Sequence, residues 1–197
     1  NPWGDRQLAD TDAELIGLMR QGVAFSNPPD IAYEYSNLGF ALLGRTVGVV
    51  SRQRYQRYVD QKVLRPLGMS HTVWDYAQVP AERRARGYRW EEAQWKEEIS
   101  LPDGAYASMG GMISTVEDFA RYMAWHLDAW PARDGVELGP LKRSSRREMH
   151  WPSGIATVSP DARNAEGKAC PTASAYGYGL GWSETCDHLI RVGHSGG

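Results

Sequence analysis

The spacing of the apolar residues changes once along this chain, and the change restricts the folds that the chain can adopt. In several segments up to about residue 150, apolar side chains recur every three or four positions, which predicts amphipathic helices, although the middle of this region is less regular. From residue 176 onward, glycines and apolar residues alternate in a pattern typical of strands. The chain is therefore predicted to place a β-hairpin after a mainly helical region.

Local start and stop signals locate the predicted elements. Residues 11–14, Thr-Asp-Ala-Glu, form a capping box that opens a helix running to Gly22. Further helices are predicted over residues 36–50, 52–64, 116–127 and 141–150. The remaining predictions are a surface hairpin over residues 88–96, a long polar loop over residues 151–172, and two final strands over residues 176–182 and 189–194.

Size and composition exclude several classes of protein. With 197 residues the chain is long enough to bury a core without metal or disulfide staples. Its formal charge of −2 gives no reason to expect nucleic acid or an anionic membrane as a partner. No apolar run reaches the roughly 18 residues of a membrane-spanning helix, and no export signal is visible. These observations leave the compartment open.

The residue types that most often bind metals or charged partners give weak signals here. The chain has two cysteines, Cys170 and Cys186, and an intracellular protein can carry two by chance. We therefore expect free thiols, and one disulfide is the alternative. The five histidines lack the spacing of a zinc site, and no metal or cofactor is expected. Arg143, Arg146 and Arg147 form a basic stripe that is predicted to be a solvated helix face.

Two glycine-containing motifs suggest chemistry but do not fit their context. Residues 39–46 have the spacing of a phosphate-binding loop, yet the interior is Phe-Ala-Leu-Leu and Arg45 replaces the lysine, so a core helix is predicted. Residues 193–197, Gly-His-Ser-Gly-Gly, match the nucleophile elbow Gly-x-Ser-x-Gly. An elbow needs a helix directly after it and then an acid and a histidine, so Ser195 is not expected to be the nucleophile.

A tyrosine lies at the start of the second predicted helix. Backbone N–H groups and the helix dipole favour a phenolate at this position, so Tyr35 is suited to transfer a proton. Asn37 offers both a donor and an acceptor for a substrate amide. The alternative is structural, with Tyr35 as a buried anchor and Ser36 as the N-cap of the helix.

Several motifs occur in a fixed order along the chain. They are Tyr-Glu-Tyr-Ser-Asn-Leu-Gly-Phe-Ala-Leu-Leu-Gly at residues 33–44, Pro-Leu-Gly-Met at 66–69, Gly-Gly-Met-Ile-Ser-Thr at 110–115, Asp-Phe-Ala-Arg at 118–121, Tyr-Gly-Leu-Gly-Trp at 178–182 and Gly-His-Ser-Gly-Gly at 193–197. Together they resemble the serine β-lactamase-related family, which includes class C β-lactamases, penicillin-binding DD-peptidases, D-amino-acid peptidases and amidases, and esterases. The resemblance implies an α+β, β-lactamase/DD-peptidase-like fold, in which a helical region packs against an antiparallel sheet.

The resemblance also implies acyl transfer by a serine. In the family a serine of an S-x-x-K motif attacks the substrate carbonyl, and the lysine and the tyrosine of a Y-x-N motif transfer protons. Tyr35 would be the general base and acid, and His194 would replace the lysine of the family's strand motif. The residues implied to bind substrate are Asn37, Ser195, Gly196 and Gly197, the last through a backbone N–H to the oxyanion.

The chain departs from the family pattern at one point, because none of its serines is followed three residues later by lysine. We therefore expect the S-x-x-K segment upstream of Asn1 and further strands beyond Gly197. On this interpretation the chain is a family domain truncated at both ends, incomplete in fold and inactive alone. Its parts are a helical region over residues 1–150, a loop over 151–172 and a β-hairpin over 173–197.

His194 also indicates the substrate. A histidine binds an anion only when protonated and serves as a neutral donor at higher pH, whereas a lysine stays cationic. The resemblance implies that, in the family, lysine at this position accompanies β-lactam turnover, and histidine is common in D-amino-acid peptidases, amidases and esterases. We therefore expect a small ester, or an amide or peptide of a D-amino acid, rather than a β-lactam. A homodimer is predicted through the exposed sheet edge of residues 176–197. Two alternatives stay open, a non-catalytic penicillin-recognition-like binding module and an α/β-hydrolase that uses Ser195.

Overall fold

The computed structural model describes residues 10–29, 31–98, 102–137, 139–152 and 154–196. It contains helices and antiparallel sheets, so the predicted α+β class is confirmed. The chain divides into two compact units, which we describe separately. The first is Asn1–Val23 with Ser36–Met123, and the second is Ala24–Tyr35 with Ala124–Gly197. Within the described ranges, no helix is both long and apolar enough to cross a bilayer.

The helices predicted from capping signals and apolar spacing are confirmed. Within the described ranges the α-helices are α1 (Asp12–Arg20), α2 (Asn37–Ser51), α3 (Tyr55–Val59), α4 (Val116–Leu127) and α5 (Arg143–His150). A π-helical turn over Asp60–Leu64 continues α3, and 3₁₀ turns occur at Tyr76–Gln78, Ala81–Arg83 and Gly104–Tyr106.

Side chains cap the first two helices as the sequence predicts. The Glu14 N–H donates to Thr11 Oγ1 at 3.3 Å and the Thr11 N–H donates to Glu14 Oε2 at 2.7 Å, which completes the capping box. At α2 the Gly39 N–H donates to Ser36 Oγ at 2.9 Å, so Ser36 is the N-cap. Residues 39–46 lie inside α2, which confirms a helix in place of a phosphate-binding loop.

The buried cluster of the first unit joins α1 and α2 to a 3₁₀ turn. It consists of Leu15, Ala41 and Tyr106, each at most 2% exposed. One turn further along α2, a methyl group on Gly44 would overlap the Ser108 side chain. Glycine at this position therefore allows the close approach of α2 to the segment around Ser108.

A buried carboxylate ties α4 to a neighbouring turn in the same unit. Asp118 is 0% exposed and accepts hydrogen bonds from the His71 N–H at 2.7 Å and the Thr72 hydroxyl at 2.9 Å. Arg121 Nη1 lies 2.7 Å from its other oxygen. Burial raises the pKa of Asp118, but the hydrogen bonds and the charges of His71 and Arg121 outweigh burial and hold the pKa below its usual value.

The first unit also carries the predicted surface hairpin. Its strands are β1 (Tyr88–Glu91) and β2 (Gln94–Glu97), which pair antiparallel. Trp90 and Trp95 stand opposite each other with ring centroids 5.2 Å apart and edge to face. Both rings are more than half exposed, so the pair stabilises the hairpin through its own contact.

The second unit contains a four-stranded antiparallel sheet in the order β3-β4-β5-β6. The strands are β3 (Gly154–Ser159), β4 (Thr172–Tyr176), β5 (Gly181–Glu184) and β6 (Ile190–Gly193). Among the described residues β3 and β6 are the edge strands. A homodimer through residues 176–197 would therefore use β6, and it stays a prediction.

Two predictions for this sheet are wrong. β3 lies inside the predicted loop of residues 151–172, because its β-branched residues pair with β4 while polar neighbours mask the pattern. The strand predicted over residues 176–182 is instead the end of β4, a turn and the start of β5. Glycines cause this turn: a Cβ on Gly177 would collide with the Met149 carbonyl oxygen, and Gly179 has a φ of 75°.

The expectation of free thiols is also wrong, because Cys170 and Cys186 form a disulfide. Cys170 comes just before β4 and Cys186 just after β5. The antiparallel register pairs Ala173 with Glu184 and so brings the two cysteines together. Counting cysteines could not reveal the bond, since it depends on that register.

The predicted solvated face of α5 is wrong as well. Arg143 and Arg146 are 6% and 0% exposed. Their guanidinium groups contact Asp128 Oδ2 at 3.1 and 3.2 Å, respectively. Arg146 also donates to the Trp125 carbonyl and lies over the Trp125 ring, 4.9 Å from its centroid. These partners lie outside α5, so the spacing of arginines within the helix did not indicate burial.

Candidate active site

Tyr35 and His194, the two predicted catalytic residues, lie side by side in the second unit. Their ring centroids are 5.8 Å apart, and the ring planes are inclined by 43°. Tyr35 is 53% exposed, and His194 is exposed as well. Tyr35 directly precedes the N-cap of α2, and His194 directly follows β6, so regular structure fixes the backbone beside each ring. Both neighbouring side chains are therefore accessible to solvent.

A hydrogen bond determines the tautomer of neutral His194. Nδ1 of the imidazole donates to the backbone carbonyl of Ser195. Since a carbonyl oxygen only accepts, the proton of the neutral ring lies on Nδ1, and Nε2 carries a lone pair. The neutral ring therefore offers an acceptor at Nε2, where the sequence prediction had a donor. Nε2 donates only in the imidazolium form.

Two further tyrosines complete an aromatic cluster, which we define as Tyr33, Tyr35, Tyr176 and His194. The Tyr176 ring lies 6.3 Å from Tyr35 and 6.1 Å from His194, edge to face in both contacts. Tyr33 lies 5.1 Å from Tyr176. The sequence prediction did not single out these two tyrosines. Tyr33 could have been suspected because it stands two residues before Tyr35, but the place of Tyr176 depends on how the sheet folds.

The predicted substrate ligand Asn37 is the first residue of α2. It belongs to the first unit, whereas Tyr35 belongs to the second. Ser36, between them, uses its hydroxyl as the N-cap. The half-exposed Tyr35 does not match the buried anchor of the structural alternative. Along the chain, the N-cap Ser36 thus separates Tyr35, the predicted proton carrier, from Asn37, the predicted amide ligand.

The other predicted substrate ligands follow His194. Ser195 and Gly196 are exposed, and Gly197 lies outside the described residues. Ser195 meets the imidazole through its backbone carbonyl, whereas a serine nucleophile bonds to its base through Oγ. The antiparallel sheet also differs from the mostly parallel sheet of an α/β-hydrolase. Both observations weigh against Ser195 as a nucleophile.

Metal and cavity geometry add little to this site. In the part of the chain that the structure describes, no three His, Cys, Asp or Glu side chains are grouped to hold a metal ion. Two open clefts of about 580 and 710 Å³ are lined by residues of the first unit, among them Tyr55 for one and Trp74 for the other. The candidate site in the second unit therefore rests on the contact between the Tyr35 and His194 rings.

Comparison with known sequences identifies relatives. A family model described as Beta-lactamase matches residues 4–197. Beta-lactamase-like protein 2 of Dictyostelium discoideum is 34% identical over 138 residues, which cover 63% of this chain and 23% of that protein. The chain thus spans about a quarter of the length of this relative.

Solved structures share the fold at low identity. The octameric penicillin-binding protein homologue from Pyrococcus abyssi superposes with a TM-score of 0.62 and 20% identity, over 94% of this chain and 43% of its own. The D-amino acid amidase from Ochrobactrum anthropi SV3, complexed with L-phenylalanine, superposes with a TM-score of 0.62 and 22% identity, over 98% and 53%. These matches show a common fold, of which this chain spans about half.

Proposed function

The chain belongs to the beta-lactamase family of serine hydrolases, and from this premise we propose that it contributes the tyrosine and the histidine of an acyl-transfer site. We propose a small ester or a D-amino-acid amide as the substrate. The observation that carries the proposal is the contact between the Tyr35 and His194 rings. The reaction also needs the serine and the lysine of an S-x-x-K motif, which this sequence does not contain.

Proton transfer by Tyr35 is the central step. A serine of the S-x-x-K segment attacks the substrate carbonyl, and Tyr35, acting as general base with the assistance of the lysine, accepts the serine proton. The bond from the carbonyl carbon to the leaving oxygen or nitrogen then breaks, and Tyr35 gives the proton to the leaving group. Water attacks the acyl-enzyme by the same route, which releases the acid and restores the serine.

The tautomer of His194 supports the choice of substrate. Neutral His194 donates its Nδ1–H to the Ser195 carbonyl and presents Nε2 as an acceptor. An acceptor suits the amino group of a D-amino-acid amide, whereas the carboxylate of a β-lactam requires the imidazolium. The roles proposed for the remaining residues are binding of the substrate amide by Asn37 and substrate binding by Ser195, Gly196 and Gly197.

Covalent labelling tests the proposal. Incubated with a fluorophosphonate or a penicillin, the 197-residue chain alone is expected to keep its mass, because it lacks the serine and lysine pair. A polypeptide that adds an S-x-x-K segment on the amino-terminal side is expected to gain one phosphonyl group from the fluorophosphonate, with loss of fluoride, or one penicilloyl group from the penicillin. Peptide mass mapping should place either adduct on that serine. The control is the same polypeptide with that serine replaced by alanine.

Two outcomes of the labelling experiment would contradict the proposal. A stoichiometric adduct on Ser195 of the chain alone would make Ser195 the nucleophile. A polypeptide with the S-x-x-K segment that binds penicillin without forming an adduct would instead support the non-catalytic binding module.

A further inference from the structure

We propose that Tyr176 is a positioning residue whose ring sets the distance between the Tyr35 phenol and the His194 imidazole. This inference rests on the proposed roles of Tyr35 and His194 in acyl transfer. Tyr176 lies outside both sequence motifs that contain these residues, residues 33–44 for Tyr35 and residues 193–197 for His194. Tyr176 acts through the two rings and not on the substrate.

The rings of Tyr35, Tyr176 and His194 form a closed triangle. The three centroid distances are 5.8, 6.1 and 6.3 Å, the shortest between Tyr35 and His194. Both contacts of Tyr176 are edge to face, with interplanar angles of 88° and 76°, whereas the direct contact is tilted at 43°. The ring quadrupoles favour edge-to-face pairs, so Tyr176 makes the two better-oriented contacts of the triangle.

Tyr176 is the most firmly held of the three. It is only partly exposed and its hydroxyl oxygen is buried, whereas Tyr35 is 53% exposed. Its strand, β4, lies between β3 and β5. The next residue, Gly177, packs so closely on the Met149 carbonyl that it admits no side chain. Tyr33 adds a ring contact at 5.1 Å. A fixed ring can therefore orient two exposed ones.

The cross-strand neighbours of Tyr176 leave room for the other rings. Tyr176 pairs with Gly154 of β3 and with Gly181 of β5, and Gly181 pairs with Gly193 of β6. Directly paired residues share a face of the sheet, so Tyr176 supplies the one side chain of this row. His194 follows Gly193 directly. The row thus leaves a bare stretch of sheet beside the Tyr176 ring.

The pKa of Tyr176 favours positioning over proton transfer. Burial, and then the neighbouring phenols of Tyr33 and Tyr35, raise the pKa of Tyr176 above its ordinary value. The phenol therefore stays protonated near neutral pH and cannot act as a base there. The raised pKa of Tyr176 thus agrees with the positioning role that the ring contacts indicate.

Nuclear Overhauser effects in the 197-residue chain test the geometry independently of activity. The wild type should show ring-to-ring effects from Tyr176 to both Tyr35 and His194, and between Tyr35 and His194. Tyr176→Phe keeps the ring and should keep the effect between Tyr35 and His194, whereas Tyr176→Leu should lose it. Tyr88→Leu removes an exposed tyrosine of the first unit and is the matched control, which should keep the effect.

Turnover supplies a second readout, in a polypeptide that contains the S-x-x-K segment. Tyr176→Leu should lower kcat by about 10-fold or more while KM changes by less than about two-fold, because a misplaced proton carrier slows the chemistry more than it weakens binding. Tyr176→Phe should restore kcat to near the wild-type value.

Several results would overturn the inference. If the wild type shows no nuclear Overhauser effects from Tyr176 to Tyr35 and His194, the inference is wrong, whether or not the leucine variant folds. The inference is also wrong if folded Tyr176→Leu keeps the nuclear Overhauser effect between Tyr35 and His194, or keeps the wild-type kcat. If the effects behave as expected but Tyr35→Phe turns over normally, the proposed function fails while the positioning by Tyr176 stands.

Discussion

At the scale of single residues, the two ring nitrogens of His194 have different tasks. Nδ1 donates to the Ser195 carbonyl, which leaves Nε2 for a ligand. The neutral ring accepts a hydrogen bond at Nε2, and the imidazolium donates one. In the proposed function, the charge state of this exposed imidazole would decide whether the site prefers an amino group or a carboxylate.

Replacing His194 with lysine should shift this preference towards carboxylates, because a lysine is cationic near neutral pH and has no acceptor. In a polypeptide with the S-x-x-K segment, His194→Lys should raise kcat/KM for nitrocefin relative to a D-alanyl anilide by about 10-fold or more. His188→Lys, at an exposed histidine of the same unit, is the control, and an equal shift in both variants would refute the role of His194.

The neighbours Ser36 and Tyr35 show which residue properties sequence reasoning can reach. The cap made by Ser36 involves an N–H only three residues away, so the local pattern was enough to predict it. The approach of Tyr35 to His194 joins two distant parts of the chain, and only the order of the family motifs suggested it. The tautomer of His194 was out of reach, since it follows from the hydrogen bond between the ring and the Ser195 carbonyl, which the sequence pattern does not reveal.

At the scale of elements, the carboxyl-terminal ends of α4 and α5 meet through two histidines. His150 Nε2 lies 2.8 Å from His126 Nδ1, and Trp130 Nε1 donates to His150 Nδ1 at 3.4 Å. The proton of neutral His150 is therefore on Nε2 and is donated to His126. Burial, then nearby His150 and Arg146, lowers the pKa of His126 to about 4, and burial also lowers the pKa of His150.

The stability of the second unit should therefore fall as the pH drops from about 6.5 to about 4. Unfolded His126 binds a proton near pH 6.5 and folded His126 only near pH 4, so the unfolded state binds more protons in this window. Between about pH 7 and pH 4.5, the free energy of unfolding measured in urea should decrease less in His126→Phe than in the wild type, by on the order of 2 kcal/mol. The control His188→Gln should show the same decrease in unfolding free energy as the wild type. Equal decreases in the wild type and His126→Phe would exclude His126 as the cause.

Elements with local signals were predictable, and those with distant partners were not. The capping box of α1 and the apolar stripe of α2 lie within single stretches of sequence. β3 was missed because its register with β4 decides that it is a strand. Burial of Arg146 was missed because its partner, Asp128, lies outside the helix. In each case the missing information was a contact between distant residues.

At the scale of the whole chain, the disulfide joins the ends of the β4–β5 hairpin. Cys170 and Cys186 are 16 residues apart, and Cys170 is 7% exposed. Closing a loop of this size lowers the entropy of the unfolded chain, which stabilises the folded state by about 3 kcal/mol on a chain-entropy argument. Because β4 bears Tyr176, the bond also restrains the strand that supports the aromatic cluster.

Loss of the disulfide should therefore destabilise the second unit. The double variant Cys170→Ser with Cys186→Ser should unfold in urea with a free energy lower by about 3 kcal/mol than the wild type. Dithiothreitol should lower the stability of the wild type by a similar amount and leave the double variant unchanged, which is the internal control. A wild-type transition that dithiothreitol does not move would be incompatible with the bond.

The chain spans only part of the relatives that it matches, so the proposed reaction draws on residues outside this sequence. Within the sequence, the most informative change is Tyr35→Phe. It keeps the ring beside His194 and Tyr176 and removes only the hydroxyl, so folding should change little. The proposal therefore predicts a specific loss of proton transfer.

The decisive measurement is the burst-phase acylation rate with a p-nitrophenyl ester, in a polypeptide that supplies the S-x-x-K segment. Tyr35→Phe should slow acylation by about 100-fold or more. Tyr88→Phe, whose tyrosine is 52% exposed compared with 53% for Tyr35, should acylate at the wild-type rate. Wild-type acylation by a folded Tyr35→Phe variant would contradict proton transfer by Tyr35.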